Sequence, residues 1–108
     1  MKLFKIGVYI PLEHKEKVKD AMFGAGAGKI GNYDSCSFEI LGTGQFRPLS
    51  GSRPFIGIQD AVERVSEVRV EMICPQEKVK AVVVAMKKSH PYEEVAFDIV
   101  AMENPEEF

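Results

Sequence analysis

The chain has 108 residues, 45% apolar and 28% charged, which is the profile of one compact domain with a modest core and too short for two. Fourteen basic against sixteen acidic residues leave a net charge of −2, a field too balanced to gather nucleic acid or an anionic membrane. The longest apolar runs, such as Ala81 to Met86, fall far short of the roughly 20 residues that a bilayer span needs. Met1-Lys2-Leu3-Phe4-Lys5 carries no signal-peptide core, so a cytoplasmic location is expected, with Cys36 and Cys74 as reduced thiols.

Phe4, Ile6, Val8 and Ile10 alternate with Leu3, Lys5, Gly7 and Tyr9, the period of two that predicts a strand ending at Pro11. From Leu12 the spacing of Val18, Ala21, Met22 and Ala25 becomes helical and predicts a helix to Gly24. A glycine-rich stretch, 24–31, leads to a second strand in which Cys36, Phe38 and Ile40 face inward and Ser37, Glu39 and Leu41 outward. Glycines at 42, 44, 51 and 57 and prolines at 48 and 54 make residues 42–66 a long connection or a broken strand pair. Val68, Val70, Met72 and Cys74 alternate with Glu67, Arg69, Glu71 and Ile73 as a third strand. Pro75 opens a second helix in its first turn, and Pro91 stops it. Val95, Phe97 and Ile99 then mark a fourth strand, and residues 103–108 read as a solvated acidic tail on whose end Phe108 could dock.

The order βαββαβ predicts a ferredoxin-like α+β fold over residues 1–102, a four-stranded antiparallel sheet. Right-handed crossovers place both helices on one face. The other face, with Leu3, Tyr9, Leu41, Ile73 and Val100 among charged residues, is a candidate oligomer surface. The topology brings His14, Arg47, Arg53, His90, Tyr92 and Glu93 to one end of the sheet and Lys29 to the other.

Gly26-Ala27-Gly28-Lys29-Ile30-Gly31 fits G-x-G-x-x-G, yet it follows a helix and precedes a strand, the reverse of a dinucleotide-binding turn. It reads as a helix cap and loop whose N–H groups could form an anion nest beside Lys29. Cys36 and Cys74 are expected opposite each other as small core residues. His90-Pro91-Tyr92-Glu93-Glu94 is the densest cluster of functional groups. It serves either as acid–base or metal-binding equipment or as a helix stop in which Tyr92 anchors the turn. Arg47 and Arg53, on the long connection, are candidates for gripping a phosphate or carboxylate.

The segments 24–38, Gly42-Thr43-Gly44-Gln45-Phe46-Arg47-Pro48-Leu49, Pro54-Phe55-Ile56-Gly57, Glu67-Val68-Arg69-Val70-Glu71 and His90 to Ile99 together resemble the small domain inserted in many bacterial members of the NGG-interacting-factor family of dinuclear-metal proteins, here as a free-standing chain. The His-Pro-Tyr-Glu turn also resembles the CutA divalent-ion-tolerance proteins, which share a ferredoxin-like trimeric fold with PII signalling proteins. The resemblance implies the fold and self-association. It does not carry over the dinuclear centre, whose ligands lie in flanking domains of that family. PII-like proteins bind nucleotides between subunits, and the positional counterparts here are Arg47, Arg53 and His90 to Glu93, without a PII-type phosphate motif.

The expectation is therefore a non-enzymatic, PII/CutA-like homo-oligomer, a trimer, holding an unidentified ligand at its subunit clefts. Arg47, Arg53, His90, Tyr92, Glu93 and Lys29 are its candidate binding residues. Should a divalent metal ion bind, His90 and Glu93 are the expected ligands, with His14 as an outlying one. The alternative is an accessory domain acting with a separate metal-dependent hydrolase. An enzyme built on Cys36 or His90 lacks the supporting groups.

Overall fold

The computed structural model describes residues 1–108. Its strands are β1 (Leu3–Pro11), β2 (Phe38–Phe46), β3 (Glu63–Pro75) and β4 (Phe97–Ala101), and its helices are α1 (Lys15–Ala25) and α2 (Val79–Ser89). The strands form one antiparallel sheet in the order β2-β3-β1-β4, the ferredoxin-like arrangement that alternation predicts. Ile6, Val8 and Ile10 of β1 and Val68, Val70, Met72 and Cys74 of β3 meet Val18 and Met22 of α1 and Val82 and Met86 of α2 in one buried cluster. Both helices thus cover the same face. No helix is long and apolar enough to cross a membrane.

Several boundaries differ from expectation, each for a local reason. β1 ends at Pro11 as expected, but a single 3-10 turn, Leu12–His14, precedes α1. Gly26, at φ 121°, ends α1 by donating its N–H to the carbonyls of Met22 and Phe23, a conformation that glycine adopts without strain. Pro75 closes β3 rather than opening α2, because the turn Gln76–Lys78 intervenes. β4 begins at Phe97, two residues later than the alternation indicates, although Val95 still packs on the core. Phe108 does not dock and is 93% exposed, beyond a 3-10 turn, Pro105–Glu107, that Asn104 caps.

The second strand needs the largest correction. It begins at Phe38, not Cys36, and runs on to Phe46, paired with Glu63. Its register puts Glu39 opposite the buried Val70 and Leu41 opposite Val68, so these two lie on the helix-covered side and Phe38 and Ile40 on the open side. The charges enforce this choice. Glu39 accepts hydrogen bonds from Lys15 (2.7 Å) and Lys19 (3.0 Å) of α1, and these ammonium groups hold its carboxyl below the usual carboxylate range. Burial acts to lower the Lys19 pKa, but Glu39 and Glu16 outweigh it and raise it.

The two cysteines do not face each other. Gly28 occupies the position beside β3 that a longer β2 would fill: its N–H donates to the Ile73 carbonyl (2.8 Å) and its own carbonyl accepts the Cys36 N–H (2.8 Å). Cys74 is buried in the core, where desolvation pushes its thiol pKa up, and Cys36 is half-buried outside the sheet.

Candidate functional site

On the open face, the alternate residues of β3 project as a charged row: Glu67, Arg69 and Glu71. Arg69 is fully committed. Its guanidinium forks onto Asp98 of β4 (2.8 and 3.0 Å), its Nε donates to Glu71 (3.2 Å), and it lies over the Tyr9 ring at 5.1 Å. It rests on Gly7, where a Cβ would collide with it. The pair with Arg69 lowers the Asp98 pKa, and the same contacts raise that of Arg69.

Glu67 is different. It is 9% exposed, no ion pair of the chain reaches its carboxylate, and its polar neighbour is the Tyr92 hydroxyl. That hydroxyl is itself buried, with no hydrogen bond of close geometry. Gly44 of β2 makes the room for Glu67, since a Cβ there would overlap the Glu67 carboxylate. Burial and the nearby Glu67 carboxylate raise the Tyr92 pKa, so the phenol stays protonated.

Glu67 and Tyr92 belong to a cavity of about 530 Å³ at the root of the β2–β3 loop, where the connection leaves the two strands. Tyr9, Phe46, Pro48, Pro54 and Phe55 give it apolar walls, and Arg47, Glu93 and Glu94 stand on its lining. The loop 47–62 folds over the opening rather than trailing into solvent. The Asp60 N–H donates to the Pro48 carbonyl (2.7 Å), Ser52 Oγ donates to the Leu49 carbonyl (2.6 Å), and Phe55 meets the His14 ring edge-on at 5.3 Å.

The structure therefore brings Arg47, Tyr92 and Glu93 together, as the topology indicates, but gives the other candidates different parts. Arg53 reaches the cluster through its main chain: its N–H donates to Glu93 Oε2 (2.6 Å), and its guanidinium does not line the cavity. His90 is 7% exposed and both ring nitrogens are engaged. Nε2 lies 2.8 Å from the Tyr9 carbonyl, which can only accept, so this nitrogen carries the proton. Nδ1 accepts the Tyr92 N–H (3.1 Å). Desolvation depresses the His90 pKa, only partly offset by the Tyr9 carbonyl. The imidazole is a neutral tie between β1 and the α2–β4 turn, and it can take a metal only by releasing one of these bonds.

His14 packs on Phe55 instead of joining His90 and Glu93, and no three His, Cys, Asp or Glu side chains converge in metal-binding geometry. Lys29 lies at the far end, exposed. The N–H groups of Gly26, Ala27, Gly28 and Ile30 are all donated within the chain, so the glycine loop does not offer the run of free N–H groups that an anion nest needs. Sequence reasoning missed Glu67, Gly44 and Phe46. Two glycines inside a strand, Gly42 and Gly44, are the signal of a close approach that could have found them.

The sheet order and the two helices on one face define a small ferredoxin-like α+β domain with a CutA-like fold. The divalent cation tolerance protein CutA from Archaeoglobus fulgidus superposes with a TM-score of 0.67 over 94% of this chain and 85% of its own, at 16% identity, a likeness of fold alone. No family model matches the chain. The Bacillus subtilis protein named GTP cyclohydrolase 1 type 2 homolog is 52% identical over 101 residues, 94% of this chain and 27% of its own length. Its Mycobacterium tuberculosis namesake is 49% identical over 98 residues, 91% of this chain and 26% of its own. A Bacillus cereus protein related to NIF3 superposes with a TM-score of 0.82 at 43% identity, over 95% of this chain and 26% of that one. The chain is thus a homologue of one segment of these NIF3-related proteins, and it spans about a quarter of the length of the curated relatives it matches.

Proposed function

We propose that the chain is a non-enzymatic, cytoplasmic binding module that self-associates through its open sheet face, as a trimer, and holds a ligand in the cavity at the root of the β2–β3 loop. The observation that carries this reading is the cavity itself, where the carboxylate of the buried Glu67 has no counter-ion and the buried Tyr92 phenol has no hydrogen bond of close geometry. Buried charges and polar groups are nearly always paired, so a carboxylate without a counter-ion beside that phenol, on one apolar-walled cavity, supports a ligand site there. Self-association is supported by Phe38 and Ile40, 65% and 53% exposed on the open face. The non-enzymatic reading is supported by His90, whose two nitrogens are occupied, and by the buried Cys74 thiol, whose raised pKa disfavours the reactive thiolate.

A divalent metal ion, on this reading, would need ligands from two subunits, since one chain gathers no set of three. A native mass spectrum of protein purified without chelators is the test, and the expected species is a trimer without stoichiometric metal. A monomer at micromolar concentration removes the oligomeric module. A second reading, an accessory domain acting with a separate metal-dependent hydrolase, is favoured by the segment's place in proteins named GTP cyclohydrolase 1 type 2 homolog, of which it spans about a quarter. Co-purification of such a hydrolase from native cells would favour it over the self-contained module.

A further inference from the structure

The geometry points to an organic cation as the ligand class of the cavity: a planar amidinium- or guanidinium-type group, borne on a flat apolar body, that docks on the Glu67 carboxylate. This deepens the binding-module reading and rests on it. Glu67 is the strongest single constraint. A carboxylate on a residue 9% exposed, with the Tyr92 hydroxyl beside it but no counter-ion, is a state that an incoming cation relieves and an incoming anion worsens. The one neighbour in its row that could neutralise it, Arg69, is spent on Asp98 and Glu71.

The remaining charges agree. Glu93 and Glu94 share the lining with Arg47, so three carboxylates stand against one guanidinium, the reverse of what Arg47 and Arg53 imply in the sequence. A planar donor group suits a carboxylate because two parallel N–H bonds can form at once. The buried Tyr92 hydroxyl supplies a further acceptor beside it. An apolar body is required by the walls, where Tyr9, Phe46 and Phe55 offer ring surface, and a volume of about 530 Å³ accommodates a small aromatic ring with its substituent.

Three probes that share one ring and differ in charge separate the alternatives in calorimetric titrations of the intact protein at neutral pH: benzamidine, benzyl alcohol and benzoate. Benzamidine should bind saturably at one site per protomer, benzyl alcohol at least about 10-fold more weakly, and benzoate not at all. Glu67→Gln should weaken benzamidine by about 10- to 100-fold. Gly44→Ala, which introduces a Cβ where the Glu67 carboxylate lies, should weaken it as well and serves should Glu67→Gln fail to fold. Benzoate binding as tightly as benzamidine, no saturable benzamidine binding, or unchanged affinity in both variants each overturns the inference. Sedimentation of the same samples keeps the two proposals apart: association without cation binding defeats the ligand class alone, whereas cation binding by a monomer defeats the oligomer alone.

Discussion

The two faces of the sheet are built from the same strands and meet opposite fates. On the helix-covered face, alternate residues of β1 and β3 are almost wholly buried against α1 and α2, and every requirement is met inside the chain. On the open face β1 and β3 carry a committed ion cluster around Arg69 and a Glu67 without a counter-ion, and β2 adds exposed Phe38 and Ile40. The difference teaches that stability and function are divided by phase along the strands: one set of alternate positions holds the fold, and the set between them is left for contacts outside it.

The sharpest way to break that division is to compare truncations on the two sides. Met86→Ala, in the buried cluster, should cost ~2–5 kcal/mol in denaturant unfolding, whereas Ile40→Ala should stay within ~0.5 kcal/mol. Equal costs would show that the open face also holds the monomer together.

Next in size is the tie at His90. His90→Phe leaves the Tyr9 carbonyl and the Tyr92 N–H without their partner, a loss of ~1–3 kcal/mol. It also changes the pH profile. Because the folded pKa is depressed below the ordinary imidazole value of 6.5, the unfolded chain binds the proton more readily, and parent stability is level above that pH and falls as pH drops through it. Urea titrations between pH 7.5 and 5.5 should show this fall in the parent and not in the variant.

Arg69→Met removes the fork onto Asp98. The carboxylate is 44% exposed, so solvent screening limits the cost to ~1 kcal/mol. Asp98 has its pKa lowered by Arg69, so its contribution is present above the unfolded value of 3.8 and is lost as pH falls through the folded one. Acid unfolding of the variant should lack that step. The smallest effect on the monomer is expected of Phe38→Ser, which should leave the melting temperature of the isolated subunit unchanged and raise the concentration at which sedimentation detects association.

Most of the fold was legible because β1, β3 and α2 each have one wet and one dry side, and alternation or helical spacing records that contrast directly. β2 was misread by one residue because both its sides are largely exposed. Its apolar Phe38 and Ile40 face the open side, and the polar Glu39 faces the lysines of α1. Hydrophobicity alone cannot express an ion pair as the reason for facing inward. At the cavity, Arg47, Tyr92 and Glu93 were found by topology, since loops at one sheet end must meet. Glu67 was invisible because in sequence it is simply the polar phase of β3, and only the turn carrying Tyr92, the missing side chain at Gly44 and the folded-over loop bury it.

Gly7 and Gly44 have a further consequence, for descent. Each stands on a strand adjacent to β3, and each leaves vacant the space that a charged side chain of β3 occupies: Arg69 over Gly7 and Glu67 over Gly44. Each glycine is therefore half of a two-position unit that crosses a strand boundary. A methyl group gained at Gly7 evicts a guanidinium, and one gained at Gly44 evicts a carboxylate, so neither glycine can drift alone without cost. Conversely, a shortened residue at 69 or 67 would free its glycine to vary. The two pairs should behave as epistatic units, in which the effect of a substitution at one position has a sign set by the residue at the other.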